Sequence, residues 1–178
     1  EGRCNVFIGK YAGKCNTVGS YNVAIGDRAG CCLRTGCTGV LIGLAAGMKL
    51  CSGNSNIFIG NQTGICASTA CENVIMGTVA GKALSSGVNN VALGKMSGCK
   101  LNNGSNNVLL GNCSGYCLTG NDNVMLGMNS GFHRSGNKYC RNVLVGKSAG
   151  DNATTLAVDN FDVLIGFTAG LDYTGSCS

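Results

Sequence analysis

A short pattern returns through the whole chain at a spacing of seventeen residues. Asn5-Val6-Phe7-Ile8-Gly9 recurs as Asn22-Val23-Ala24-Ile25-Gly26, and each is followed by two variable residues, a small residue and a second glycine. The anchoring glycines are Gly9, Gly26, Gly43, Gly60, Gly77, Gly94, Gly111, Gly127, Gly146 and Gly166; six intervals of 17 residues are followed by intervals of 16, 19 and 20. A second glycine follows each anchor by four residues, from Gly13 to Gly170. Such a period marks a repeat architecture. Residues 1–178 therefore read as a single array of ten coils, with longer, irregular coils after residue 127.

The unit is too short for paired helices, which need about 30 or more residues per repeat. Its Asn-Val-x-Ile-Gly segment has the β-branched character of a strand. The expected fold class is all-β, a parallel β-solenoid (β-roll) of ten rungs of about 17 residues, each coil carrying two short strands and two turns. At ~4.8 Å per rung, ten rungs make a rod roughly 48 Å long. No coil buries a core by itself, so the stack must supply it.

Alternation along the strand sorts the side chains into two faces. The pairs Val6/Ile8, Val23/Ile25, Val40/Ile42, Ile57/Ile59, Val74/Met76, Val91/Leu93, Val108/Leu110, Val124/Leu126, Val143/Val145 and Val163/Ile165 share one face, read as the interior. Leu33, Leu50, Ala67, Leu84, Leu101 and Leu118, seven residues past their anchors, suit the opposing wall. Between each pair lies one residue expected to point outward: Phe7, Ala24, Leu41, Phe58, Ile75, Ala92, Leu109, Met125, Leu144 and Leu164. A solvated face would carry polar residues there. All ten are apolar, which marks a self-association stripe; the alternatives are that inside and outside are exchanged, or that a second sheet of the same chain covers it. Asparagine opens the strand at Asn5, Asn22, Asn56, Asn73, Asn90, Asn107, Asn123 and Asn142, with Gly39 and Asp162 in the remaining coils. Stacked amides can hydrogen-bond along such a column. The glycines suit positions of positive φ or close backbone approach.

Asn22 to Gly30 and Asn90 to Gly98 resemble the head repeats of trimeric autotransporter adhesins of the YadA type, and equally the repeats of trimeric tail fibres of phages and marine viruses. The resemblance extends over all ten units. It implies a parallel, left-handed β-roll trimerised along its length, acting as a stalk or adhesive head. Two features depart from it: the cysteine content is higher, and no coiled-coil stalk, anchor or chaperone segment is present.

Thirteen of 178 residues are cysteine. They gather at turns and leave the strands untouched. Disulfide candidates are Cys15, Cys31, Cys32, Cys37, Cys66, Cys71, Cys113, Cys117 and Cys140, with Cys99 in the same turn register as Cys31. Cys32/Cys37 and Cys66/Cys71 lie five apart within one loop, and Cys15 stacks near Cys31 or Cys32 one rung on. Rung spacing falls inside the disulfide Cα range, so bridges within a loop and between rungs are both feasible. The count is odd, and Cys4 and Cys177 are candidates for an intermolecular bond. Enrichment of this kind fits an oxidising, extracellular setting at a cell or virion surface.

Other chemistry is sparse. Paired Cys-x-x-Cys knuckles for zinc or a cluster are missing, as is a haem-attachment motif. His133, the sole histidine, reads as a solvated turn residue. Asp159 and Asp162 fit a hydrated loop better than a calcium site. Sequons at Asn61, Asn103, Asn112 and Asn152 are ordinary in so asparagine-rich a chain. No cofactor is expected, and no acid–base cluster points to an enzyme. A net charge of +5 without a basic run argues against nucleic acid, and no apolar run reaches membrane-span length. The array shows no polar cap, as expected either of a rod cut from a longer fibre protein or of copies that stack end to end through open strand edges. The expected function is an extracellular structural fibre or filament, self-associating as a homotrimer or homopolymer. The alternatives are an adhesive or receptor-binding head for a cell-surface glycan or receptor, and an ice-binding solenoid, against which stands the absence of threonine from the outward column.

Overall fold

The computed structural model describes residues 1–132, 140–151 and 161–171. Ten three-residue strands follow one another without a helix among the described residues: β1 Val6–Ile8, β2 Val23–Ile25, β3 Val40–Ile42, β4 Ile57–Ile59, β5 Val74–Met76, β6 Val91–Leu93, β7 Val108–Leu110, β8 Val124–Leu126, β9 Val143–Val145 and β10 Val163–Ile165. They form one parallel sheet in sequence order. The register stacks identical positions, Val6 on Val23 and Ile8 on Ile25, and so on to Val143 on Val163. The chain is a parallel β-solenoid.

Each coil holds one regular strand, where two were expected. The second wall is a series of turns, with a parallel β-bridge outside the named strands between Cys71 and Val88. These turns are nevertheless hydrogen-bonded from rung to rung: Gly13 N–H donates to the Ala29 carbonyl (3.0 Å), Cys15 to Cys31 (2.9 Å) and Thr17 to Arg34 (3.1 Å). The turn wall thus satisfies its backbone by stacking, as the sheet does.

The faces are exchanged relative to the sequence expectation. Ala24, Leu41, Phe58, Ile75, Ala92, Leu109, Met125 and Leu144 are fully buried, and Phe7 and Leu164 in the end coils pack against the same core. The ten residues expected to form a self-association stripe therefore line the interior, and the flanking Val/Ile pairs face out. The physical reason is space. Inside the coil the strand meets a small residue and a glycine three and four positions past the anchor, and the leucine column of the turn wall. Ala29, Ala46, Ala80 and Ala149 are buried there, beside Leu33, Leu50, Leu84, Leu101 and Leu118. One side chain per strand fills that gap, so the central residue goes in and its two neighbours go out. A Cβ on Gly64 would lie 2.7 Å from the Phe58 ring, and one on Gly47 2.9 Å from Leu41 Cδ2.

The serine hydroxyls and the asparagine side chains of the ladder are paired inside the coil. Where serine replaces the small alanine, its hydroxyl donates to the strand carbonyl of the next rung: Ser97 to Leu109 (3.0 Å), Ser114 to Met125 (2.9 Å) and Ser130 to Leu144 (2.9 Å). The asparagine column forms the expected ladder. Asn90 Nδ2 donates to Asn73 Oδ1 (2.9 Å) and to the Gly104 carbonyl (2.8 Å), while Asn90 Oδ1 accepts from the backbone N–H (3.1 Å) and Nδ2 (3.0 Å) of Asn107. The same motif runs from Asn56 through Asn73 and from Asn107 through Asn142. Gly39 interrupts it, and Asp162 receives its final bond through its own N–H, donated to Asn142 Oδ1 (3.0 Å).

The two kinds of glycine answer different needs. Anchors such as Gly43 hold φ at 128°, and a Cβ there would also sit 2.5 Å from the Gly60 carbonyl oxygen. Gly36 has no such φ, yet a Cβ there would lie 2.5 Å from the Gly53 oxygen. Its carbonyl in turn accepts Asn22 Nδ2 at 2.8 Å. The glycine column and the amide ladder therefore occupy one corner and depend on each other.

Candidate interaction face

The exchange of faces creates the main surface feature. The outer side of the sheet carries two parallel columns, one of nine valines and Ile57, the other running Ile8, Ile25, Ile42, Ile59, Met76, Leu93, Leu110, Leu126, Val145 and Ile165. All twenty side chains are aliphatic or methionine. The columns extend roughly 43 Å along the stack and lie about 7 Å apart across it, from the rung and strand spacings. Within the stack these residues are half-buried by their neighbours above and below; Met76 is 39% exposed, and Ile8 on the first rung 57%.

Two borders flank the columns, one polar and one mostly so. Preceding the asparagine ladder are Tyr21, Thr38, Ser55, Glu72, Asn89, Asn106, Asp122 and Arg141, all at positive φ between 54° and 63°. They bond along the stack: Thr38 Oγ1 with Ser55 Oγ (3.0 Å), and Asn106 Nδ2 to Asp122 Oδ1 (2.9 Å). Beyond the anchors the border is mixed: Lys10, Asp27, Asn61, Thr78, Lys95, Asn112 and Lys147 share it with the exposed Leu44, Met128 and Phe167, and Lys147 Nζ lies 5.7 Å from the centre of the Phe167 ring. An apolar centre with a polar rim is the arrangement of a protein–protein interface. The sequence contains both columns, and period-two alternation by itself assigns them to the core. The signal that could have reversed that reading is the row of alanine, serine and glycine facing the central residue, which leaves the interior too narrow for two side chains per strand.

The cysteines fall into separate surroundings. None of the expected disulfides is formed among the described residues, where every cysteine is a free thiol. Cys37, Cys71 and Cys140 belong to a second ladder along one edge of the coil. There a side-chain acceptor on each rung takes the backbone N–H of the rung before: Arg3 to Ser20 Oγ (3.0 Å), Ser20 to Cys37 Sγ (3.4 Å), Cys37 to Asn54 Oδ1 (2.8 Å), Asn54 to Cys71 Sγ (3.4 Å). After Val88, which has no acceptor, it resumes through Ser105, Asn121 and Cys140. Thiols here serve as acceptors interchangeable with serine and asparagine, a role the cysteine spacing did not reveal. The loop pairs Cys32/Cys37 and Cys66/Cys71 thus place their later member in that ladder. Cys37 and Cys71 also donate to backbone carbonyls two residues earlier, Thr35 and Thr69.

Cys15, Cys31 and Cys32 group with Cys51, which spacing alone had not singled out. Burial pushes the Cys32 thiol above its ordinary range, and the neighbouring thiols of Cys31, Cys15 and Cys51 push the same way. A second group joins Cys99, Cys113 and Cys117. Burial raises the Cys99 thiol against the opposing pull of Lys82, and raises Cys113 against Lys95. Cys99 and burial together hold the Tyr116 phenol above its usual value, and the Tyr116 ring lies 5.2 Å from that of Phe132. Cys66 is half-buried in the turn wall, Cys4 is exposed, and Cys177, His133 and Asp159 lie outside the described residues. No group of three or more His, Cys, Asp or Glu among the described residues is arranged to hold a metal ion. Likewise no helix there is long and apolar enough to cross a membrane. No protein-family model matches the chain, and no curated protein or solved structure matches it either.

Proposed function

We propose that this protein is a structural fibre element of an extracellular or virion surface, and that it self-associates through the twenty-residue aliphatic face of its sheet. One observation carries the reading: a face of two unbroken apolar columns, bordered on one side by polar residues and on the other by mostly polar ones. Monomeric proteins rarely leave a contiguous apolar patch beyond a few hundred Å² in water. A repeating face meets an identical face most readily, because every rung offers the same pair of side chains at the same spacing. Three copies around an axis, or copies packed side by side, both cover it. The first is the arrangement implied by the adhesin and tail-fibre repeats that the chain resembles, and the cysteine content supports an oxidising location.

A receptor-binding head is the second reading, favoured by the first coil, where Lys10 and Lys14 each place their ammonium 5.0 Å from the Tyr11 ring centre. An exposed aromatic with two cations close to its ring suits a sugar or anion contact, and glycan-array binding that disappears in Tyr11→Ala supports this reading.

The main test is mass in solution. Light scattering on size-fractionated protein is expected to give a multiple of the 18.0 kDa chain. The double variant Ile59→Lys/Val91→Lys, charged in the middle of both columns, is expected to run as a monomer with its β circular dichroism retained. A wild-type chain that stays monomeric at high concentration overturns the proposal.

A further inference from the structure

We infer that Cys15 and Cys32 form a staple site between the first two coils, oxidised to a disulfide by exchange with a small-molecule disulfide of the glutathione class. The hydrogen-bond register places them. In the sheet, Val6 N–H donates to the Asn22 carbonyl (2.8 Å), and this bond accompanies the pairing of Val6 with Val23. By the same parallel geometry, donation from Cys15 N–H to the Cys31 carbonyl (2.9 Å) pairs Cys15 with Cys32. Paired residues of adjacent parallel segments sit about 4.8 Å apart. That is within the Cα separation a disulfide accepts, about 4.4–6.8 Å.

The same reasoning excludes the other cysteines of the turn wall. Cys32 N–H donates to Met48, which sets Lys49 opposite Cys32 on the following rung, and Cys66 donates to Lys82, which sets Ala83 opposite Cys66. Lys100 donates to Tyr116, so Cys117 faces Lys100. In the edge ladder cysteine alternates with serine and asparagine, and no two cysteines are consecutive. Among the described residues, Cys15 and Cys32 alone are cysteines on consecutive rungs in one register. Both are only half-buried, so a small oxidant can reach them.

The chemistry balances without any further group. One thiol, as its thiolate, attacks the small disulfide and releases one small thiol. The second protein thiol then displaces the other half from the mixed disulfide. Two protein thiols and one disulfide become one protein disulfide and two small thiols. The bond ties coil one to coil two within a chain, so its formation is independent of self-association and leaves the oligomeric mass unchanged.

The test uses the full chain, reduced and then incubated with oxidised glutathione, alkylated, and digested with trypsin without reduction. The expected product joins the peptide of residues 15–28 to that of residues 29–34, with the loss of two hydrogens. Because the second peptide holds both Cys31 and Cys32, the variants separate them: Cys31→Ser retains the joined product and Cys32→Ser loses it. Fragmentation of the wild-type product assigns the bond directly, whether or not a variant folds. A bond between Cys31 and Cys32, a bond from Cys32 to Cys37 or Cys51, or only mixed glutathione adducts overturns the inference. Oxidation is also expected to slow proteolysis within coils one and two several-fold, and an unchanged cleavage rate counts against a staple.

Discussion

Gly39 shows what each asparagine of the ladder contributes. Asn22 Oδ1 accepts the Gly39 N–H at 2.9 Å, but no side chain is there to continue the column to Asn56, whose own amide still reaches the Ala70 carbonyl at 2.6 Å. Gly39 does not need a positive φ, and a Cβ there would meet only Asn22 Oδ1 at 3.2 Å and the Asn56 carbonyl oxygen at 3.8 Å. At other rungs an asparagine stacks on the same neighbouring amide, as Asn73 does on Asn56. Gly39→Asn should therefore close the ladder, adding buried hydrogen bonds worth about 0.5–1.5 kcal/mol each and removing the backbone freedom of a glycine. The expected result is a higher urea midpoint with an unchanged slope, and an unchanged or lower midpoint would show that the amide does not reach its partners. At this scale much was legible in the sequence: the paired glycines and the asparagine column were both assigned to coil corners. The non-glycine residues at positive φ were not, because Tyr21, Thr38, Glu72 and Arg141 carry no compositional mark of that conformation. Each donates its backbone N–H to a carbonyl of the preceding rung, Tyr21 to Arg3 and Thr38 to Ser20, and this stacking holds them there at a cost that isolated residue preferences do not predict.

At the scale of the element, period-two alternation separated the residues of each strand into two sets correctly but could not say which set was inside. That decision belongs to the turn wall, whose leucines and glycines fix the width of the cavity. The interior column shows the resulting fit. Leu109 covers its own Gly115, and its Cδ1 also lies 3.0 Å from where a Cβ of Gly98 would be, in space that Ala92 on the preceding rung leaves open. Leu41 does the same for Gly30 beside Ala24, at 2.8 Å. Small and large residues on adjacent rungs thus compensate each other. Ala92→Leu should overpack this region and cost about 1–3 kcal/mol, while Leu109→Ala should cost about 2–5 kcal/mol by leaving a cavity. The double exchange Ala92→Leu/Leu109→Ala should recover most of both losses. Denaturant unfolding of the three variants measures this coupling, and simple additivity of the two single changes would show that the residues do not share one space.

For the molecule as a whole, the inverted core turns a narrow stripe of ten residues into a face twice as wide, which strengthens the case for association while changing every residue that takes part. Phe7, Phe58 and the rest of their column account for stability, and in the proposed association Val6, Ile8 and their equivalents would form the contact. The nature of that contact determines how it should respond to solvent. The columns hold no charge, and the rim cations are spread along the stack, so association should be driven by removal of apolar surface from water and only slightly by ion pairs. Sulfate, which is excluded from protein surfaces, should strengthen it, and cooling toward freezing should weaken it. Sodium chloride at moderate strength should have little effect, because screening acts on exposed charges alone. Sedimentation velocity across these conditions, at a protein concentration where oligomer and monomer coexist, reads the three responses together. Association that falls steeply with sodium chloride and persists on cooling would place the contact on the charged border, with Lys10, Lys95 and Lys147 as the residues to change, and the aliphatic face would lose its assigned role.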